Sequence, residues 1–365
     1  MRKTPIGLCG IALAGVLAVA ACSSNAASGA APGSGSGPDQ NGQGFKIALL
    51  LPETTTARYE AKDKPYFTEA LKKLCPSCEL LYANANSDAS TQQEQAQSML
   101  TQGAKVLVVD PWDGVAAAAI VSAAKAQNVP VVAYDRLIKS PELAYVVSNN
   151  YLKVGELQAT AIVQKLKADN ISPDAGGIIM INGATTDNNA GNIKKGALSV
   201  FDKSGYKVLS ETDTWDPTEA QNWVSGQLTR FGPDKIIAVY SANDNNAGGA
   251  IAAFKAVGVD KMPPMSGLDA SIQGLQHIIA GQQLMTTYNP FREEAEIAAT
   301  AAYALAQGEA PQSDATVDGH AASLNEPVAV TIDNIESTVI ADGFWKASEL
   351  CTPEYKAACD KAGIK

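Results

Sequence analysis

Short apolar runs rich in Val, Ile and Leu alternate along this chain with longer stretches whose apolar residues recur every three to four positions. The first pattern reads as buried strands and the second as amphipathic helices. Strands are expected at Phe45–Leu51, Glu79–Ala83, Val106–Val109 and from Val131. Between them, helices run from Asp63 and Pro65 through Leu74, from a capping box at Thr91 and Glu94 to Gly103, and from about Val115 to Gln127. The pattern then repeats with new sequence. Helices are expected at Tyr151–Lys167, Ala190–Ser204, Thr218–Phe231, Ala247–Val257 and Ser271–Ala280. The strands of this half are Ile178–Ile181, Lys207–Glu211, Ile236–Tyr240, a weak one before Gly267, and Leu284–Tyr288. Parallel neighbours need a crossover, so strict strand–helix alternation predicts an α/β fold with parallel sheets.

So many parallel strands exceed one small sheet, and 365 residues exceed one comfortable hydrophobic core. Two Rossmann-like lobes are therefore expected, with the chain crossing between them near Val147–Asn150, Tyr288–Pro290 and Glu326–Val328. The expected division is 45–148 with 289–326 for the first lobe and 149–288 with 327–350 for the second. Residues 351–365 are left as a tail.

The front of the chain belongs to neither lobe. Met1-Arg2-Lys3, an apolar stretch from Ile6 to Ala21 and small residues before Cys22 describe an export signal over 1–21. Val19-Ala20-Ala21-Cys22 resembles the bacterial lipobox, which makes Cys22 the lipidated first residue of the mature chain; the alternative is a plain signal with an incidental Cys. Residues 22–44 are Ser, Gly, Ala and Pro with almost no apolar bulk, which reads as a disordered tether.

Polar residues gather where strands end. Asp135-Arg136 follow Val131, Val132 and Tyr134, and in open α/β sheets ligands bind beyond the carboxyl ends of strands. A carboxylate and a guanidinium each engage two adjacent hydroxyls, which suits a neutral polyol. Asp187 and Asn189 lie beyond Asn182, Asn243 beyond Tyr240, and Asp269 beyond Gly267, while Arg58, Tyr59 and Trp215 add guanidinium and aromatic surface. A pyranose has matching chemistry, with a hydroxyl rim for the forks and C–H faces for aromatic rings. Each Asx residue alone is equally an ordinary helix cap, and Asp135-Arg136 alone an ordinary surface pair.

Composition narrows the choice. A net charge of −10 without a basic patch excludes nucleic acid as partner. His277 and His320 are isolated, so no metal site and no cofactor are expected. Cys75-Pro-Ser-Cys78 has the spacing of a redox pair, but that motif opens a helix after a strand, and Cys75 ends one. With Cys351 and Cys359 it points to structural disulfides in an exported chain. The chain carries no Gly-x-Gly-x-x-Gly after a strand, no Gly-x-Ser-x-Gly and no Walker motif. A glycosidase pair of Asp135 and Asp187 is conceivable, but flanking Arg and Asn read as recognition rather than proton transfer, so no enzyme is expected.

The segments Ala57-Arg58-Tyr59, Ala133-Tyr134-Asp135-Arg136-Leu137-Ile138, Val154-Gly155-Glu156-Leu157-Gln158-Ala159, Asp187-Asn188-Asn189-Ala190, Trp215-Asp216-Pro217, Asn243-Asp244 and Ser266-Gly267-Leu268-Asp269 resemble the bacterial periplasmic D-xylose-binding and multiple-sugar-binding proteins. The likeness runs from Phe45 to about Leu350. It implies the type I periplasmic-binding-protein fold, two lobes on a three-segment hinge that close over one monosaccharide and deliver it to an ABC permease. By position, it implies sugar contacts at Arg58, Tyr59, Asp135, Arg136, Asp187, Asn189, Trp215, Asn243 and Asp269. The receptor is expected to be a monomer at the outer face of the cell membrane, touching the membrane only through its lipid anchor.

Two positions depart from the family pattern. Leu268 replaces a Gln, and Asn289 stands where a ligand-contacting Lys is usual, so Asn289 is expected to face the sugar and leave room at that edge of the ring. Glucose, galactose and arabinose then stand beside xylose as ligands. Because a crosslink between lobes would oppose hinge motion, the disulfides are expected to be Cys75–Cys78 and Cys351–Cys359, each a local clip. The competing readings are a carrier for a chemoreceptor or sensor kinase, which differs only in partner, and a repressor effector domain, which would follow a helix-turn-helix rather than an export signal.

Overall fold

The computed structural model describes residues 44–365; the export signal, Cys22 and all but the end of the tether lie outside the described residues. The chain opens with β1 (Lys46–Leu51), α1 (Lys64–Leu74), β2 (Glu79–Asn84), α2 (Ala89–Thr101), β3 (Ala104–Val109), α3 (Ala118–Lys125), β4 (Val131–Tyr134) and β5 (Tyr145–Asn149). It continues through α4 (Tyr151–Ala168), β6 (Gly177–Asn182), α5 (Asn188–Ser204), β7 (Val208–Asp213), α6 (Pro217–Phe231), β8 (Ile236–Ser241), α7 (Asp244–Ala256), α8 (Ile272–Ile279) and β9 (Thr286–Tyr288). It ends with α9 (Phe291–Ala306), β10 (Ala315–Val317), β11 (His320–Asn325), β12 (Val328–Val330), α10 (Ala347–Leu350) and α11 (Lys356–Ala362).

The first sheet has the order β10-β11-β5-β4-β3-β1-β2, parallel except for β10. The second has β7-β6-β8 in parallel, extended by single bridges from Val239 to Met265 and from Leu268 to Thr287, with β12 antiparallel to β9. In each sheet the first strand of the lobe lies between the next two, so the two lobes repeat one doubly wound plan. The strands read as continuous apolar runs because both faces are covered. Ile47, Leu49 and Leu51 pack toward α1 and α9, while Ala48 and Leu50 face α2 and α3. This is the type I periplasmic-binding-protein fold.

Three segments cross between the sheets: β5 into α4, β9 into α9, and β11 into β12. Two of them lie side by side, with the Asn150 N–H donating to the Asn325 carbonyl (2.9 Å) and Asn150 Nδ2 to Glu326 Oε1 (2.9 Å).

Several local expectations change. Asp88, not Thr91, caps α2, its carboxylate accepting from the Thr91 N–H at 2.6 Å. A π-helical turn over Tyr59–Asp63 precedes α1. The weak strand before Gly267 survives only as the two isolated bridges, whereas β5 and the β10–β11 hairpin are strands that the apolar pattern did not single out. Residues after β12, read as a second-lobe segment and a tail, bury Val339, Phe344, Leu350 and Ile364 in one cluster with Phe67 and Phe291 of the first lobe and Leu275 of α8. Cys75–Cys78 and Cys351–Cys359 are bonded, with Cα atoms 5.3 and 5.9 Å apart. Among the described residues, no helix is long and apolar enough to cross a membrane.

Candidate functional site

Beyond the carboxyl ends of β1, β4, β5, β6, β7 and β8, a cleft between the lobes holds about 30 Å³ of free space. Arg58, Tyr59, Asp135, Arg136, Asp187, Asn189, Trp215, Asn243 and Asp269 all line it. Asn289 does not. It lies fully buried behind the cavity, its Nδ2 3.4 Å from the Tyr151 hydroxyl. The room expected at that edge is bounded instead by Tyr151, which lines the cavity together with Thr56, Ile193 and Leu268.

Asp135 is the point where the lobes meet. Leaving β4 it turns into the left-handed region (φ 59°), a conformation that costs a non-glycine residue energy and persists only where surroundings hold it. Its N–H donates to the Val147 carbonyl (2.8 Å), and its carbonyl accepts from Ser148 Oγ (2.6 Å) and Asn189 Nδ2 (3.1 Å). The carboxylate accepts from Arg58 on one oxygen, and from the Tyr151 hydroxyl and Asn189 Nδ2 on the other.

Two guanidinium groups organise the charges. Arg58 reaches Asp63 (3.2 Å), Asp135, Asp269 (3.7 Å) and Glu294 (4.0 Å), sandwiched between the rings of Tyr59 and Phe291 at 4.5 and 4.2 Å. Arg136 reaches Asp187 (3.1 Å) and Asp110 (3.6 Å), and donates to the Tyr59 hydroxyl (3.0 Å). Burial opposes both cations, yet Asp135 beside Arg58 and Asp187 beside Arg136 hold them more firmly protonated than exposed guanidinium groups.

Six carboxyl groups thus face two cations, and protons take up part of the imbalance. Burial pushes Asp269 up to about 7 and Asp63 up to about 6, with Arg58 opposing in both cases. Burial likewise carries Asp110 and Glu294 well above the usual carboxylate range. Asp269, like Asp135, has a left-handed backbone (φ 92°).

On the second lobe the same residues serve as helix caps and as site residues. Asp187 caps α5, one oxygen accepting from the Asn189 N–H (2.8 Å) while the other faces Arg136 and accepts from Trp215 Nε1 (3.2 Å). Asn243 caps α7 through the Asn246 N–H at 3.0 Å, which leaves its amide NH₂ free of that bond. The half-buried Trp215 ring lies against the backbone of Gly183, where a Cβ would collide with it.

Sequence reasoning missed Tyr151, Asp63, Asp110 and Glu294. Asp110 ends a strand and carried the same signal as Asp135, whereas Tyr151 read only as the start of a helix. Asp63 and Glu294 sit inside helical turns whose sequence gives no sign of a cleft.

The protein is therefore a two-lobed binding protein. A family model described as a periplasmic binding protein domain matches residues 47–310, and the chain belongs to that family, whose members bind substrates and are not enzymes. The D-xylose-binding periplasmic protein of Escherichia coli (strain K12) is 34% identical over 315 residues, 84% of this chain and 92% of that protein. The multiple sugar-binding periplasmic receptor of Rhizobium radiobacter is 30% identical, with 83% and 92% covered. Among solved structures, the carbohydrate transporter solute binding protein of Chloroflexus aurantiacus in complex with D-glucose is 27% identical, with a TM-score of 0.76, 84% of this chain covered and 98% of that one.

Proposed function

We propose that the protein is the extracytoplasmic monosaccharide receptor of an ABC sugar importer, held at the outer face of the membrane by a lipid on Cys22 and the tether that follows. The observation that carries this reading is the cleft itself: carboxylates, amides and two guanidinium forks drawn from both lobes around one small space, with the Trp215 ring at its side. An aldopyranose offers paired hydroxyls to the forks and C–H faces to the ring. Sugar hydroxyls take over contacts that Arg58, Asp135, Arg136 and Asp187 make with one another. Because the ligand touches both lobes, it binds the closed arrangement more tightly than the open one, and this difference drives closure. The closed form is the one presented to the permease.

Titration calorimetry with D-xylose, D-glucose, D-galactose and L-arabinose tests the reading. Micromolar or tighter binding of at least one is expected, which corresponds to about 8 kcal/mol. No heat with any of the four overturns it. Palmitate labelling that is lost in a Cys22→Ala variant checks the anchor.

A further inference from the structure

We propose that Gln158 is a positioning residue of the site: one buried amide in α4 fixes how far apart Asn243 and Asp269 stand, and through them how tightly the ligand is held, an inference that rests on the sugar reading. Gln158 is fully buried and does not line the cavity. Its Nε2 donates to the Ala242 carbonyl (3.1 Å) and to the Gly267 carbonyl (2.9 Å), while its Oε1 accepts from the Tyr240 hydroxyl (2.7 Å). Ala242 precedes Asn243 just beyond β8, and Gly267 lies two residues before Asp269. Both amide N–H groups are thus committed to two loops remote from each other in sequence, each carrying one side chain of the site.

The loop that carries Asp269 needs such support. Asp269 (φ 92°) and Ala270 (φ 46°) are consecutive non-glycine residues with left-handed backbone, a strained arrangement that persists only where its surroundings impose it. On one side the Asp269 N–H donates to the Thr287 carbonyl (2.9 Å) and the Ala270 N–H to Thr286 Oγ1 (3.2 Å). On the other, buried Asp244 closes the turn: its N–H donates to the Leu268 carbonyl (3.1 Å), and its carboxylate accepts from the Ser271 N–H (2.8 Å) and from Gln283 Nε2 (2.8 Å). Gly267 and Gly274 make room for that carboxylate, since a Cβ on them would lie 2.1 and 2.2 Å from it. The Asp269 carboxylate faces Arg58 Nε at 3.7 Å, beyond hydrogen-bond reach, so its aim is set by its backbone. Gln158 ties this turn and the Asn243 loop to α4. The same helix opens with Tyr151, whose hydroxyl donates to Asp135, so one element aligns Asp135 of the first lobe with Asn243 and Asp269 of the second.

Calorimetry with D-xylose, D-glucose, D-galactose and L-arabinose identifies the tightest-binding of the four, which then serves as the probe. Gln158→Met keeps the volume and removes the amide. Gln158→Asn keeps the amide, one methylene short of spanning both carbonyls. Each should weaken binding of the probe by about tenfold, within the range of coupling between residues in contact, with folding verified by thermal melting. A loss transmitted through Asp269 should shrink by about threefold or more in an Asp269→Ala background. The same loss should combine with that of Trp215→Ala to within about twofold of the product, because Trp215 is set by Asp187 and Gly183 instead. A merely structural role lowers the melting temperature and leaves the Asp269 cycle additive. That result, or an affinity within about twofold of wild type in whichever of the two variants fold, overturns the positioning role while leaving the receptor reading intact. Silence of the wild type toward all four sugars overturns the receptor reading, and the positioning role with it.

Discussion

In the first lobe Arg58, Asp135 and Arg136 are held by one another and by flanking carboxyl groups and rings; in the second, Asp187 and Asn243 are held by the helices whose N–H groups they cap. The first arrangement depends on mutual compensation of buried charges, so removing one member leaves another unpaired in a poorly solvated place. The second anchors each side chain on backbone, so a loss stays local. Both cations of the cleft come from the first lobe, while Asp187 and Asp269 come from the second. Across the cleft, each set meets the charges it lacks.

The largest test of this contrast is Asp135→Ala. It strips Arg58 of its nearest partner and releases the strained turn after β4, and breaking a buried pair in this way costs about 3–5 kcal/mol. Urea unfolding should show that loss of stability together with loss of sugar binding. A drop below about 1 kcal/mol would mean that Asp63 and Glu294 compensate Arg58 on their own, and the contrast between the walls would fall.

Trp215→Ala probes the second wall where binding and stability should part. The ring is half-buried and rests on Gly183, so its removal should spare the lobe and cost about 2 kcal/mol of binding, roughly thirtyfold in affinity. Calorimetry beside a thermal melt separates the two quantities. An affinity within about twofold of wild type removes Trp215 from the site.

Per unit of pH, the smallest effect expected is a slope of stability with pH. Burial raises Asp269 from 3.8 to about 7 in the folded chain, so the folded state holds a proton that the unfolded state has released between those values. Stability from this group is therefore present at low pH and falls as the pH rises through that window, by at most about 1.4 kcal/mol per unit. Asp269→Asn should flatten the slope between pH 4 and 7 relative to wild type in denaturant titrations. If the variant and wild type run parallel, Asp269 is ionised throughout, served by Arg58 at 3.7 Å.

Much of this was legible in the chain itself. Continuous apolar runs and period-3.6 patterns locate most of the strands and helices, because a strand covered on both faces is apolar throughout and a helix packed along one stripe carries its apolar residues at fixed intervals. Asp135 and Asp187 stand out because strand exits are where a doubly wound sheet opens. β5 and the β10–β11 hairpin were harder to see, since Tyr145–Asn149 ends in Ser and Asn, and His320–Asn325 mixes small and polar residues.

Residue type and order along the chain determined the architecture and the acidic character of the cleft, and strand exits together with the family resemblance named nine of the thirteen residues that line it. Distances between segments far apart in sequence were decided only by the tertiary structure. Asn289 follows β9 where the family resemblance implies a ligand contact, yet the tyrosine that opens α4 lies between it and the cavity. Leu268 joins both the second-lobe core and the cavity wall, and Glu294 from α9 reaches Arg58 from before α1. Such contacts depend on how whole lobes and their crossing segments pack, and local periodicity carries no information about that.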